Sequence, residues 1–181
     1  MSQQAGTFLA NPIWWPSLQS LCGLGLSAQV GVANRVFLTA IYLPRAMTIS
    51  RMTADITIGG GASTKLILGL YADNGGTPAG GALLVGPSQQ FDATLAQIDV
   101  YTFASPITLQ AGFVWAALQT ADATINFRKT GGAPSFAEVG SETLGGCHYV
   151  GSALTLTNPC PAVTLNLNAN FCTRLRIDTI A

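Results

Sequence analysis

The chain has 181 residues, 49% of them hydrophobic and only 9% charged, with eight basic and eight acidic side chains and a formal net charge of zero. Charged residues make up about 25% of an ordinary soluble domain, and phosphate partners demand clustered Lys and Arg, whereas here the basic residues are scattered. No apolar run approaches the roughly 20 residues of a membrane span and the first residues lack a signal-peptide pattern, so neither nucleic acid nor membrane is the expected partner; a surface so poor in charge predicts burial against other copies or another protein.

Residues 1–28 carry no charged side chain. They hold Asn11-Pro12, Trp14-Trp15-Pro16 and an SLQSLCGLGL stretch, with room for a short helix within Pro16–Leu26. Each aromatic ring left in water exposes about 150–250 Å². The segment is therefore expected to be an arm that lies on a neighbouring subunit or partner through Trp14, Trp15, Leu18 and Leu21. The plainer alternative is that it covers the end of its own sandwich.

From about Val30 the pattern becomes that of strands. Val36, Leu38 and Ala40 alternate with Arg35, Phe37 and Thr39, and Pro44 closes the run. Met52, Ala54, Ile56 and Ile58 alternate with Arg51, Thr53, Asp55 and Thr57, ahead of a Gly59-Gly60-Gly61 turn. In Thr64–Ala72, Leu66, Leu68 and Leu70 face one way and Lys65, Ile67 and Tyr71 the other, the period of a half-buried strand. Asp73-Asn74-Gly75-Gly76 then reverses the chain, because Asn-Gly and Gly-Gly supply positive φ, and Pro78 delays the next strand. Short edge strands are expected at Ala82–Val85 and Gln89–Phe91. Further strands are expected at Gln97–Ala104, Ile107–Leu109, Phe113–Thr120, Ala123–Arg128 and Thr173–Ile180. Turn signals recurring about every 8–12 residues predict an all-β antiparallel sandwich over 29–181.

Thr130–Pro161 breaks the rhythm. It holds six glycines, three prolines, both glutamates, two cysteines and the single histidine. Long loops in compact domains are often functional, so 130–161 is expected to be an excursion from one end of the sandwich, with a small hairpin through His148–Leu156. Phe136, His148 and Tyr149 are its candidate recognition residues. Among the four cysteines, Cys22, Cys147, Cys160 and Cys172, no Cys-x-x-Cys spacing suggests zinc. Cys147–Cys160 is the best disulfide candidate by proximity, with buried free thiols the default.

The residues offer little for catalysis. There is no nucleophile elbow, zinc-protease helix, phosphate loop or dinucleotide fingerprint. Cys147 and His148 are adjacent, and neighbours on a strand point to opposite faces, so they do not read as nucleophile and base. Asp92 with Asp99, or Glu138 with Glu142, are the acid pairs available to a glycosidase, and they read as solvated loop charges. Asp73 and Asn74 could offer oxygens to calcium, but Asx-turn chemistry explains them without a metal. Among the aromatics that could stack on sugars, Trp115 follows strand alternation and reads as core, whereas Tyr149 is the most credible contact. No enzyme activity and no cofactor or metal is expected.

The stretches ANRVFLTAIYLPRAMTISRMTADITIGG, KLILGLYADNGGTPAGGALL and SPITLQAGFVWAALQT resemble a β-sandwich module of bacteriophage virion proteins. The matching residues are Leu43-Pro44, Thr48-Ile49 with Arg51, Gly69–Tyr71 with Asp73–Gly75 and Pro78, and Leu109–Gly112 with Trp115. They cover about Ala33 to Thr120 and are turns and core positions rather than a catalytic signature. The resemblance implies a jelly-roll-like fold, usually a homotrimer, on the outside of a phage particle assembled in the host cytoplasm. Such modules serve in tail fibres, spikes, head fibres and capsid decoration (cement) proteins. With no heptads, repeat or shaft, the chain looks most like a decoration protein contacting the major capsid protein or another virion protein. The alternative is a receptor-binding tip or short tail fibre that recognises host surface glycan.

Overall fold

A computed structural model describes the backbone of residues 13–15, 26–43, 45–130, 146–166 and 175–179, and the side chains of 30–41, 43, 45–127 and 148–164. The fold is all-β, its strands arranged as two antiparallel sheets, with no helix among the described residues. In chain order the strands are β1 (Ile13–Trp15), β2 (Leu26–Val30), β3 (Arg35–Leu43), β4 (Met47–Ile58), β5 (Lys65–Ala72), β6 (Leu83–Val85) and β7 (Phe91–Asp92). There follow β8 (Ile98–Leu109), β9 (Gly112–Thr120), β10 (Asn126–Thr130), β11 (Gly146–Val150), β12 (Thr164–Asn166) and β13 (Leu175–Thr179). The first sheet has six strands in the order β1-β13-β4-β10-β2, with β8 on the other side of β4. The second has seven in the order β12-β11-β3-β9-β5-β6, with β7 also paired to β5.

The alternation expected from the sequence sets the faces. Leu66, Leu68 and Leu70 of β5 join Phe37, Ile41, Ile49, Met52, Ile56, Val114, Leu118 and Phe127 in the core between the sheets. The opposite faces of β3, β5 and β9 are buried as well, which corrects the half-buried expectation. Val36, Leu38, Ile67, Tyr71, Trp115 and Ala117 form a second core with Tyr149, Leu156 and Cys160. Residues 151–163 close this face. Of the 130–161 excursion, the part after β11 is a strap laid over the outside of the second sheet, and residues 131–145 lie outside the described residues.

Three further expectations change. Of the 1–28 arm, residues 13–15 and 26–28 lie in strands of the chain's own first sheet, and the rest lies outside the described residues. Trp14 lies opposite Arg176 and Trp15 opposite Leu175, while β2 runs along β10. Aromatic and β-branched residues suit such a pleated edge. The hairpin expected through His148–Leu156 is replaced by pairing of β11 with β12 and with β3. Ile98–Leu109 is one strand rather than two, its register on β4 shifting between Ile49 and Arg51 to absorb the Ser105-Pro106 interruption. Leu18, Leu21, Phe136 and the helix considered after Pro16 lie outside the described residues.

Small residues make room for the strap. Gly69, Ala117 and Leu38 share one register row across β5, β9 and β3. A Cβ at Gly69 would run into the Leu156 side chain and approach the Val85 carbonyl to 3.0 Å. Leu156 therefore seats directly on the backbone of β5. Gly86, at a φ of 104°, carries the chain from β6 back over the same strand, where a side chain would press on the Leu68 carbonyl at 2.8 Å.

Overpacked cores lose about 1–3 kcal/mol, so Gly69→Ala should destabilise the protein by that amount by lifting Leu156. Thermal or urea unfolding measures it. A change below about 0.5 kcal/mol, the usual range of a surface substitution, would mean that the strap does not bear on β5.

Candidate functional site

The most organised polar chemistry lies under the strap. Tyr71 on β5 and Tyr149 on β11 have β9 and β3 between them, and their side chains meet over the outer face of these two strands. Their hydroxyls are 2.9 Å apart. The Tyr71 hydroxyl donates to the Thr157 carbonyl at 2.7 Å, and the Thr157 N–H donates to the Tyr149 oxygen at 3.4 Å. A phenol has one proton. Since that of Tyr71 goes to Thr157, Tyr149 is the donor in the contact between them. The four groups form a closed, one-directional ring whose members polarise each other. Burial, and then the bond to Tyr149, hold the Tyr71 hydroxyl far above the ordinary phenol range.

Other anchors surround this ring. The Gln119 amide is fully buried on β9. It donates to the carbonyls of Ser152 at 2.6 Å and Asn34 at 3.2 Å, and accepts from the Thr155 N–H at 2.7 Å. The Asn158 side chain accepts from the Leu83 N–H at 3.0 Å. Cys160 accepts from Gly80 and donates to Gly81 through its backbone, at 2.8 and 2.9 Å. The Trp115 indole donates to Asp73 at 2.8 Å, and the other Asp73 oxygen accepts from the Gly76 N–H at 2.9 Å. That carboxylate is thus engaged by the turn and the core, as Asx-turn chemistry requires.

These positions revise the recognition residues. Tyr149 is buried and serves the strap, so it is not the exposed contact residue expected from its loop-like sequence. His148, next along β11, is half-buried on the other face, opposite Phe37. Burial and the Arg35 guanidinium lower its pKa from the ordinary value. Trp14 and Trp15 are placed by their backbone in β1. The Cys147–Cys160 bridge does not form, since Cys160 is a buried free thiol. Its backbone is tied to Gly80 and Gly81 beside β6, four strand positions from β11, well beyond the roughly 7 Å that a disulfide can span. Burial pushes the Cys160 thiol up to about 11.

Two carboxylates outside the strap have opposite environments. Asp122 accepts from the Thr64 hydroxyl at 2.6 Å, from the Thr124 hydroxyl at 2.7 Å and from the Gly61 N–H at 3.2 Å, pinning the β4–β5 turn to the β9–β10 turn. The hydroxyl of Thr64, and then Thr124, hold it well below the usual carboxylate range. Asp99 on β8 faces inward beside Ala54. One of its oxygens accepts from the Gln97 amide at 2.9 Å, and the other is buried with no hydrogen bond. Burial raises its pKa to about 6. Among the described residues no group of three or more His, Cys, Asp or Glu is gathered where a metal could sit. Large apolar side chains remain in water on the sandwich surface, among them Val30, Ile58, Leu95, Ile98, Val100 and Val150. No protein-family model and no curated protein matches the chain.

The ring predicts an asymmetry. Tyr71→Phe strands the Thr157 carbonyl, held at 2.7 Å, and the Tyr149 proton together and should cost about 1–3 kcal/mol, whereas Tyr149→Phe keeps the Tyr71–Thr157 bond, frees only the Thr157 N–H from its long 3.4 Å contact and should cost about 1 kcal/mol. Equilibrium unfolding of both variants tests the donor order, and the reverse ranking rejects it.

Asp99 predicts a pH dependence. Its folded pKa lies above the ordinary value of 3.8, so between these two limits the folded state binds more protons and stability falls as pH rises. The penalty is complete above about pH 6 and relieved near pH 4. Asp99→Asn should therefore raise Tm at pH 7.5, by about 2–4 °C for about 1 kcal/mol after allowance for solvent screening. The gain should disappear at pH 4. An equal gain at both pH values would assign the effect to something other than the charge.

Proposed function

We propose that the chain is a non-enzymatic structural protein of a bacteriophage particle, a capsid decoration (cement) protein that assembles as a homotrimer and acts through contacts between subunits and with the shell. The observation that carries this reading is a surface with large apolar side chains in water on a chain only 9% charged. Exposed apolar patches commonly mark interaction surfaces. The resemblance over Ala33 to Thr120 supports it further. Its turn and core positions map onto β3 to β9, the framework of the second sheet and its partner β4.

On this reading β1 is an assembly element. Among the described residues it pairs with β13 alone, at the end of the first sheet's strand order, and Trp14 and Trp15 are two of its three residues. The alternative, a receptor-binding tip that stacks host glycan on aromatic rings, draws nothing from Tyr71, Trp115 or Tyr149, because all three are buried.

Particles purified from the phage that carries this gene should contain the protein, and antibodies against it should label the head. Labelling confined to the tail tip would favour the glycan-binding alternative, and absence from particles would reject both. A Trp14→Ala, Trp15→Ala double variant that keeps the wild-type circular dichroism should be incorporated at least about tenfold less, the change expected from losing about 1.4 kcal/mol of binding. Undiminished incorporation would remove β1 from the docking surface.

A further inference from the structure

We infer that the outer edge of β8 is a second interface, at which two copies of the chain join their first sheets by antiparallel pairing about a two-fold axis through Val100. This contact is distinct from the three-fold one proposed for the trimer, and it stands or falls without reference to the particle.

Among the described residues β8 pairs with β4 alone, and no described strand lies along the other side of its backbone. Native proteins blunt such edges with lysines, prolines, bulges or inward-pointing charge. Here Pro106 and the register shift protect only the far half of the strand. From Ile98 to Thr102 the row facing away from the core is Ile98, Val100 and Thr102, with no charge. Ile98 is 56% and Val100 44% exposed. The strand's one charge, Asp99, faces the sandwich interior. It limits how much more burial the edge accepts, but it does not set like charges against each other on the outward row.

The occupant follows from the register. A partner strand must supply backbone hydrogen bonds, and a second β8 supplies them with matching side chains. Val100 lies opposite Thr53, Ile98 opposite Asp55 and Thr102 opposite Arg51 on β4. A two-fold through Val100 makes the central row Thr53, Val100 and the same two residues of the second copy. Four β-branched side chains then stand side by side, a favourable cross-strand set. The flanking rows set Asp55 of one copy at the end opposite Arg51 of the other, with Ile98 and Thr102 between them. The two flanking rows end on opposite charges at β4, the central row carries no charge from β4 to β4, and no like charges face each other across the seam.

The test uses the full chain. Sedimentation velocity across rising concentration should show reversible dimers, and Val100→Lys should weaken them by about tenfold or more. Leu84→Lys, on β6 of the other sheet, should leave them unchanged. Under mild oxidation Val100→Cys should give a disulfide-linked dimer absent from the wild type. Residues paired across a two-fold have Cα atoms about 4.5–5.5 Å apart, within the usual disulfide range of about 4.4–6.8 Å. A wild type that stays monomeric at millimolar concentration overturns the inference, as does association untouched by Val100→Lys. Loss of association in Val100→Lys without cross-linking of Val100→Cys would overturn the two-fold, leaving a head-to-tail join or another protein strand on this edge.

Discussion

The architecture depends on the seating of Leu156 over Gly69. Without it the outer face of the second sheet would present Val36, Leu38, Ile67, Tyr71 and Trp115 to water, an apolar area larger than monomers ordinarily tolerate. The strap that covers this face has almost no regular structure of its own, so its buried backbone must find partners elsewhere. Gln119, Asn158 and the tyrosine pair provide them. Packing and polar satisfaction therefore act on the same short segment: the leucine excludes water, and the anchors make that exclusion tolerable for the peptide groups beside it.

The strands were largely legible in the sequence, because alternation and turn chemistry are local. The faces of β5, β9 and the Met52–Ile56 part of β4 follow directly from which residues share a parity, while the register shift after Ile49 brings that residue into the core and Ile58 stands exposed; the turns after Ile58 and Ala72 fall where glycine and Asx residues mark them. That β5 is buried on both faces was not legible. Its cover comes from residues about 80 positions later whose Gly, Pro and Thr content reads as open loop. The same gap explains Tyr149. In one dimension it sits in a glycine-rich excursion, and only the pairing of β11 with β3 shows that it points into a core.

The anchor residues left a signal that pattern reading passed over. Gln119 ends an otherwise apolar run, FVWAALQT, where a buried amide has no place unless something meets each of its groups. Asp122 sits in what reads as a plain turn, yet it ties together two turns that cross between the sheets. Both are single polar residues whose meaning depends on distant backbone, which local periodicity does not encode. Tyr71, Trp115 and Tyr149, considered for ligand stacking, are buried in the core, so attention moves from clefts to edges and exposed apolar side chains. These are the features by which one protein surface recognises another.

The hydroxyl ring has a mechanical implication. It starts at the amide and ends at the carbonyl of a single residue, Thr157. Sliding the covering segment by one position would invert which side of the peptide meets the phenols and sever both ends at once. The lock thus indexes the segment to one setting, and its release is a concerted detachment with no intermediate notch to rest in.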